Sequence, residues 1–420
     1  SIPLKIPFKN ELLIQGEGMI TLSNLEKYNK TSLEPLKNAR NAVAGAIRNL
    51  DPKQTAKRNL DLFCYQILKI DGKSFQTQEE MHNFLVENGF KTGNYFKICK
   101  TFEEIWQEIE HIGNIKKSLD ILMDGVVIKL NEVGHRDEFG YTAKFPKWAI
   151  AFKFPAEELS TTLEDVVWQV GRTGKLTPIA IIDPVNLAGA SVRRATLNNM
   201  GDIERKKVKI GSRVFVRRSN EVIPEILGLA EDMPNSKEIT APTRCPSCGA
   251  ELIENGANIF CPNSSSCPEQ IIDRLTNFAS REAMDIDGFS IMTAGDLYEK
   301  LGVKKFHELY TLTREDVLKL ENFKDKKADN LLNAINNSKN ATLPKFIYAL
   351  GIEGVGVKTA KDLAKKFGNL ENLINASFED ILSVFNIGEV IAKNIFDYFH
   401  NEDNVEELDK LLNFVKVENY

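Results

Sequence analysis

Two short apolar runs, each containing one lysine, stand out in the hydrophobic pattern of the chain. Residues 125–128 precede Lys129, and residues 151–155 contain Lys153. Such β-branched or apolar runs predict buried strands, where an ammonium group needs an anion or must lose its proton. Two such lysines on neighbouring strands predict a phosphate-binding floor, with Asp124 placed to hold a metal or a ribose hydroxyl. The alternative is that both lysine stems reach past the strand edges to solvent.

The middle of the chain, residues 156–243, shows short alternating segments separated by turn residues. Residues 166–170 and 214–216 alternate, and residues 171–174 contain two glycines of a turn. This pattern predicts a small β-barrel. Residues 211–218 place arginines on one side of a strand, where barrels of the OB type bind nucleic acid. A plain barrel with solvated arginines fits the segment equally well.

From residue 271 onward the apolar spacing becomes helical. Two segments repeat the order helix, glycine turn, helix, one around Gly354 and Gly356 and the other around Gly388. The order is typical of the helix-hairpin-helix motif, in which glycines bring the backbone close to a DNA phosphate and the second helix offers its amides. Such contacts position DNA without reading its sequence.

Two further candidates for this motif, residues 287–289 and 322–326, are degraded. Lys324 stands where the motif needs a glycine, which argues against a phosphate contact there. The spacing of the candidates is irregular, which favours a helical DNA-binding domain over a solenoid.

Four of the six cysteines lie close together, in the spacing C-x2-C-x12-C-x5-C, at Cys245, Cys248, Cys261 and Cys267. Four thiolates complete a closed tetrahedral zinc site, which is structural rather than catalytic. Metal binding can supply the folding energy that so short a segment lacks. Free thiols or two disulfides are the alternative, and the clustering favours metal in a reducing compartment.

Composition adds bounds to this picture. A chain of 420 residues is long enough for about three domains, and no stretch approaches the ~20 apolar residues of a membrane span. The net charge of −5 gives no global attraction to nucleic acid. Residues 193–218, however, hold nine Lys or Arg against two Asp or Glu, and we expect a phosphate-contacting face there or merely a solvated surface.

The order of these parts, with the local sequences, resembles the bacterial NAD-dependent DNA ligases. The most specific stretches are residues 15–17, 39–52, 124–129, 148–155 and 170–174, together with the four cysteines. The resemblance implies a multidomain α+β protein. We expect the C-terminal part of an adenylation (nucleotidyltransferase) domain at 1–155, an OB-fold barrel at 156–243, a four-cysteine zinc finger at 244–270 and an all-α helix-hairpin-helix domain at 271–420.

The resemblance also implies an activity, the sealing of nicks in duplex DNA during replication and repair. The family uses NAD, structural zinc and Mg²⁺ or Mn²⁺, and we expect a monomer in the bacterial cytoplasm, associated with the nucleoid and not with a membrane. Glu17 would bind the AMP ribose, and Lys129 and Lys153 would hold the AMP phosphate. Asp124 would support metal or charge balance. Arg40 and Arg48 fall where the family places arginines on the nick phosphate and the AMP, a task suited to a guanidinium fork.

Three positions depart from the family. Gln15 stands where an arginine usually precedes Gly16-Glu17, and Lys116 falls where an arginine precedes the Asp124 strand, although it cannot reproduce a bidentate contact. The third departure is the nucleophilic lysine, which the family carries in a K-x-D-G motif upstream of the Gly16-Glu17 strand.

The chain matches K-x-D-G only at Lys69-Ile70-Asp71-Gly72, downstream of that strand. Because these residues end an alternating run, and Asp-Gly is a common hairpin turn, we interpret Lys69 as a hairpin residue and not as the nucleophile. We therefore expect a fragment without the N-terminal NAD-recognition segment and the BRCT domain. The alternative function is a nicked-DNA clamp without chemistry, or, less in keeping with the motifs, a repair scaffold without a nucleotide site.

Overall fold

The computed structural model describes residues 2–32, 35–36, 39–93, 95–142, 145–187, 190–219 and 223–420. The chain divides into two compact units. The first comprises residues 1–164, 181–195 and 211–236, and the second comprises residues 165–180, 196–210 and 237–420.

The first unit contains two separate antiparallel strand pairs with helices beside them. Strand β1 pairs with β2, and β3 pairs with β4. The elements are β1 (Leu12–Met19), α1 (Leu22–Thr31), α2 (Ala39–Ile47), α3 (Pro52–Lys57), β2 (Asp61–Ile70), α4 (Gln78–Glu87), α5 (Phe102–Ile115), β3 (Gly125–Lys129), α6 (Arg136–Phe139) and β4 (Ala149–Lys153).

Two small apolar cores fix the β1–β2 pair. The first contains Cys64 and Ile67 of β2 and residues of α4, among them Phe84 and Leu85. The second contains α2 residues such as Val43, and a Cβ added at Gly18 of β1 would lie 3.2 Å from Val43 Cγ1. Side chains alternate between the two faces of the β1–β2 pair, so those on the face that does not pack against these cores remain available for chemistry.

A five-stranded closed barrel follows, as the sequence predicts. Its strand order is β6-β5-β8-β9-β7, and β6 also pairs with β7. Val214 and Val216 are fully buried while Phe215 between them is 44% exposed, which is the alternation of a one-sided strand. Strands β5 and β6 continue into the second unit. The barrel strands are β5 (Glu158–Val170), β6 (Lys175–Leu187), β7 (Ala190–Thr196), β8 (Arg213–Ser219) and β9 (Ile223–Glu231).

The second unit is mainly helical, built around one large apolar core from Ile271 to Val415. The expectation of an all-α domain was not fully met, because Asn340–Thr342 and Lys416–Glu418 form a parallel strand pair that ties the end of the chain to the core. Its elements are α7 (Met200–Lys206), β10 (Ile253–Asn255), β11 (Asn258–Phe260), α8 (Pro268–Ala279), α9 (Ile291–Leu301), α10 (Arg314–Val317), α11 (Asp325–Asn337), β12 (Asn340–Thr342), α12 (Leu343–Ala349), α13 (Val357–Phe367), α14 (Leu370–Ile374), α15 (Phe378–Leu382), α16 (Glu389–His400), α17 (Glu402–Leu412) and β13 (Lys416–Glu418). None of the helices in the described part of the chain has the length and apolar character that crossing a bilayer requires.

Candidate functional site

The two lysines of the apolar runs lie on neighbouring strands, as predicted. In the β3–β4 pair Gly125 is opposite Lys153 and Lys129 is opposite Ala149. Since cross-strand partners share a face and side chains alternate, both lysines belong to the same face. They stand four residues apart along the ladder, about 13 Å at ~3.3 Å per residue. The two ammonium groups can therefore reach one anion only if both side chains extend towards the middle of this face.

Gly125 allows this hairpin to close. A Cβ at this position would lie 2.2 Å from the carbonyl oxygen of Phe152, so no other residue fits without moving a strand. Gly125 at the start of β3 is thus required by backbone packing and not by a turn.

Lys129 is a half-buried cation held by neutral groups. Its Nζ donates hydrogen bonds of 3.1 Å to the Tyr65 carbonyl and to Gln66 Oε1, and it lies 5.1 Å from the centre of the Tyr65 ring. Burial, and then the charge of Arg136, lowers the pKa of Lys129 to about 8. No carboxylate in the described residues pairs with it, so an incoming anion would find a cation that needs a counter-charge.

Asp124 and Lys153 pair with each other at the far end of the same hairpin. Lys153 Nζ lies 3.1 Å from Asp124 Oδ2, and both side chains are about half exposed, at 52% and 49%. An exposed pair of this kind contributes little to stability. The Asp124–Lys153 pair balances charge at this end of the β3–β4 face and leaves both groups accessible to a ligand.

Glu17 and Lys129 are linked by a residue that the sequence analysis missed, Tyr65. Glu17 lies opposite Phe63 in the β1–β2 pair. Burial, and then the charge of Glu17, raises the pKa of Tyr65. The Tyr65 side chain is 43% exposed, while Cys64 beside it is 2% exposed. Alternation in the run of residues 63–65 was the signal that could have found it.

Gln15 lies near this group only as a cross-strand neighbour. It lies opposite Gln66, whose Oε1 accepts the hydrogen bond from Lys129. Lys116 lies elsewhere, with its Nζ 4.9 Å from the centre of the Phe154 ring. At both positions where the resemblance implies an arginine, this chain thus presents a group without a guanidinium fork.

Arg40 and Arg48 are exposed residues of α2 and of the turn that follows it. They are eight residues apart, so they project from the same side of the helix, away from Ala42, Val43 and Ala46, which are buried. In the described part of the chain neither guanidinium has a hydrogen-bond or ion-pair partner. The structure leaves both free to bind an anion but does not join them to Lys129 or Lys153.

Lys69 belongs to the end of β2, and the hairpin prediction for it was wrong. The partner of β2 is the earlier strand β1, and the chain continues from the left-handed Gly72 (φ 74°) into helix α4. The Lys69 side chain is 53% exposed and forms ion pairs with Glu11 and Asp71. Lys69 is therefore a surface residue at a turn, as expected, but the turn is not that of a hairpin.

The four clustered cysteines meet at one point. Their sulfurs all lie within 4.8 Å of one another, with 3.9 Å between Cys245 and Cys267 and 3.5 Å between Cys248 and Cys261. Four sulfurs ~2.3 Å from one tetrahedral ion would be about 3.8 Å apart, so the cluster fits zinc. Burial raises the pKa of Cys261 to about 12, and a bound cation would hold it as the thiolate.

The turn between β5 and β6 holds this cluster in place. The amide of Cys261 donates a 2.8 Å hydrogen bond to the carbonyl of Gly174. Gly174 has φ 81°, and a Cβ there would lie 2.3 Å from the Cys261 carbonyl oxygen. Arg172 in the same turn donates a hydrogen bond to Asn277 of α8. The glycine turn of the barrel thus packs against both the cysteine segment and the first long helix.

Four helical hairpins, numbered 1 to 4 here, share one turn pattern. A residue with positive φ is followed by an apolar residue and then by the N-cap of the next helix. The positive-φ residues are Gly288, Asn322, Gly354 and Asn386. They recur after 34, 32 and 32 residues, so the expectation of irregular spacing was wrong. All four turns were located in the sequence, but asparagine at two of the positive-φ positions hid their regular spacing, because Asn also tolerates the left-handed conformation.

The N-caps of the four second helices distinguish the hairpins. Ser290 caps α9 in hairpin 1 by accepting from the Thr293 amide. Lys324, Gly356 and Gly388 make no side-chain cap. A Cβ at either glycine would meet nothing within 4 Å, so the first amides of α13 and α16 face open space that an anion can enter.

The basic block at residues 193–218 is partly neutralised. Arg205 and Lys206 pair with Asp202, and Arg217 pairs with Glu225 at 2.8 Å. Lys209 lies 3.4 Å from Glu238. Neighbouring carboxylates therefore neutralise part of the block, which is not a continuous positive face.

Comparison with known proteins identifies the parts. The profile of the NAD-dependent DNA ligase adenylation domain matches residues 1–157, and that of the NAD-dependent DNA ligase OB-fold domain matches residues 160–238. The NAD-dependent DNA ligase C4 zinc finger domain matches residues 244–268, and the helix-hairpin-helix motif matches residues 345–408. The predicted fold class is thereby confirmed.

Curated relatives agree with these profiles. A DNA ligase of Alkaliphilus oremlandii is 52% identical over 414 residues, which are 98% of this chain and 63% of the relative. DNA ligase 2 of Clostridium acetobutylicum is 50% identical over 412 residues, 98% of this chain and 62% of the relative. The chain thus spans about 63% of the length of the curated relatives it matches. With the barrel, the cysteine cluster and the hairpins, these matches show that the chain belongs to the NAD-dependent DNA ligase family.

Proposed function

We propose that the chain is the core of a ligase that joins a 3′-hydroxyl to a 5′-phosphate at nicks in duplex DNA, using NAD and Mg²⁺ or Mn²⁺. A lysine amine attacks the α-phosphorus of NAD and releases nicotinamide mononucleotide. The AMP passes to the 5′-phosphate, and the 3′-hydroxyl then displaces it. The observation that carries the proposal is the half-buried, unneutralised Lys129 beside Tyr65 and Glu17. We also propose a monomer in the cytoplasm, with the domain bounds expected from the sequence.

The pocket residues divide the nucleotide between them. We propose that Glu17 binds the ribose, that the exposed Tyr65 ring offers a stacking face to the adenine, and that Lys129 and Lys153 hold the phosphate. Asp124 keeps Lys153 in place and balances its charge. Every step is a displacement at phosphorus, so positioning and charge neutralisation carry the catalysis.

DNA would be held by the helical hairpins and by the free arginines. The open amides of α13 and α16 suit phosphates, and Arg40 and Arg48 have no competing partner in the described residues. Zinc, held by Cys245, Cys248, Cys261 and Cys267, would fix the fold of its segment and take no part in the chemistry.

A second candidate function is a nicked-DNA clamp without chemistry. It is favoured by Lys69, the only K-x-D-G lysine of the 420 residues, which is engaged with Glu11 and Asp71 at the surface. We propose that Lys69 is not the nucleophile, so that the 420 residues supply only the receiving half of the pocket.

Intact-mass measurement tests this assignment. The chain is incubated with NAD and Mg²⁺ and weighed beside Lys69→Arg. We expect no AMP adduct on either protein. An adduct on the parent chain that disappears in Lys69→Arg would show that Lys69 is the nucleophile and would remove the basis for the clamp.

A further inference from the structure

Strand β2 contains a β-bulge at Tyr65. In the register of the β1–β2 pair, Gln15 lies opposite Gln66 and Gly16 lies opposite Cys64. Two consecutive residues of β1 thus face three residues of β2, and Tyr65 is the extra one. A bulged residue leaves the regular hydrogen-bond ladder and re-aims the side chains beside it. The Tyr65 carbonyl is therefore able to accept hydrogen bonds from side chains.

Lys129 reaches this bulge from β3 and binds two consecutive residues of it. Its Nζ lies 3.1 Å from the Tyr65 carbonyl oxygen and 3.1 Å from Gln66 Oε1. An ammonium group carries three N–H donors, so these two contacts leave one donor for a ligand. The two acceptors also fix the direction in which that third N–H points.

The half-buried Gln66 carboxamide uses both of its ends. Its oxygen accepts from Lys129. Its nitrogen donates to the Ile67 carbonyl at 3.4 Å and lies 3.9 Å from Met81 Sδ of α4. Since an amide N–H cannot accept from an ammonium group, the oxygen has to face Lys129. Gln66 is therefore an oriented and neutral acceptor.

The second acceptor, the Tyr65 carbonyl, is held by Gln78 of α4. Gln78 Nε2 donates to this carbonyl at 3.4 Å, and Gln78 Oε1 accepts from Arg136 Nη2 at 2.9 Å. Gln78 and Arg136 are both buried. The Arg136 guanidinium also donates to the Leu130 carbonyl and, like Lys129, has no carboxylate partner in the described part of the chain. Two cations thus share one network of neutral acceptors.

The charged and titratable groups that face Lys129 come from three elements. Arg136 of α6 opposes its positive charge. The Tyr65 phenol of β2 stays neutral at pH 7, because burial and then the charge of Glu17 of β1 raise its pKa. A carboxylate at position 66 would give Lys129 a counter-charge inside the protein, where it would compete with the phosphate of a ligand.

We infer that Gln66 is a positioning residue for the proposed ligase reaction. Together with the bulged Tyr65 carbonyl it aims the third N–H of Lys129 at the AMP phosphate, and because it is neutral it leaves the charge of Lys129 to that phosphate. The inference rests on the proposed function, in which Lys129 holds the AMP phosphate.

Labelling of the 420-residue chain with acetic anhydride over a pH series, read for each lysine by mass spectrometry, tests the contact without DNA. The labelling midpoint of Lys129 should lie near pH 8 in the parent chain. Gln66→Glu should raise it by about 1–3 pH units through the opposite charge, and Gln66→Met should lower it through the lost acceptor. Gln107→Glu, the same charge change at an exposed position of α5, is the matched control and should leave it unchanged.

Single-turnover sealing of a nick that carries AMP on its 5′-phosphate tests the consequence for the reaction. Both Gln66 variants should seal about 10-fold more slowly than the parent, from one altered hydrogen bond to a charged group, while Gln107→Glu should match it. Glutamate and methionine have nearly the length of glutamine, so a residue that merely fills space would change neither the rate nor the Lys129 midpoint. Thermal melts should show all three variants folded.

The outcomes separate the inference from the function on which it rests. A parent chain that binds the adenylated nick without sealing it overturns the proposed function. A parent chain that seals, with Gln66 variants that seal equally fast, overturns the positioning role alone. An unchanged Lys129 midpoint in both folded Gln66 variants overturns the contact itself.

Discussion

Lys129 is the residue at which burial and function meet. Its ammonium is held by a backbone carbonyl and a carboxamide, both neutral, so the folded protein binds the proton less tightly than the unfolded chain does. The pKa of about 8, against an ordinary 10.5, records that cost. A bound phosphate would return the missing counter-charge.

This cost predicts a pH dependence of stability. Between pH 8 and about 10.5 the unfolded state holds more protons on this group than the folded state, so the free energy of unfolding rises with pH in that window. Urea unfolding of the parent chain and of Lys129→Met at about pH 7, 8, 9 and 10 checks it. We expect the free energy of unfolding of the parent chain to increase relative to that of Lys129→Met as pH rises. A constant difference would show that Lys129 is not perturbed by burial.

Two glycines only two residues apart should behave oppositely when changed to alanine. Gly354 has φ 82°, and its Cβ would meet Ile391 Cγ1 at 2.9 Å, so Gly354→Ala should cost at least about 1–2 kcal/mol of stability. Gly356 has an ordinary φ and open space, so Gly356→Ala should keep the melting temperature and weaken DNA binding. Thermal melts measure the stability of both variants, and fluorescence anisotropy measures their DNA binding. Equal stability losses would remove the distinction between the packing glycine and the phosphate glycine.

At the level of elements, much of this arrangement could be predicted from the sequence. The β3 and β4 strands, the barrel, the cysteine cluster and hairpins 3 and 4 follow from periodicity and spacing. The four turns were located in the sequence but their regular spacing was not, because Asn322 and Asn386 adopt the left-handed conformation at positions where only glycine was sought. Tyr65 was missed because its role depends on β2 lying beside the β3–β4 pair, a long-range placement that local pattern does not encode.

The β2 strand shows the same limit. Its alternation was evident in the sequence, but its partner is β1, more than forty residues earlier, and not a strand after Gly72. An Asp-Gly pair predicts a local turn, but it does not predict whether a strand or a helix follows. The partners of the basic block were hidden for a similar reason, since Glu225 and Glu238 lie outside it in the sequence.

For the whole molecule, the cysteine cluster is expected to decide whether its own segment, and the barrel turn packed against it, is ordered. Its segment contributes a small core of its own with Trp168 and Leu176, and zinc is expected to supply ~10–16 kcal/mol. We predict one zinc per chain by elemental analysis. Chelation, or Cys267→Ser, should abolish zinc binding and DNA binding. Cys99→Ser, at a half-buried cysteine outside the cluster, should retain both. A metal-free chain that binds DNA normally would contradict a structural role for zinc.

The sealing of a nick that already carries AMP on its 5′-phosphate isolates the role of Lys129 and Lys153, because it needs the receiving pocket and not the attacking lysine. The measurement is the single-turnover rate of the 420-residue chain with Mg²⁺, beside Lys129→Met and Lys153→Met. Removing one charged contact to a phosphate costs about 1.5–3 kcal/mol, so each variant should seal about 10- to 100-fold more slowly than the parent while binding DNA normally. A parent chain that binds the adenylated nick without sealing it, or variants that seal as fast as the parent, would contradict the assignment of these lysines to the AMP phosphate.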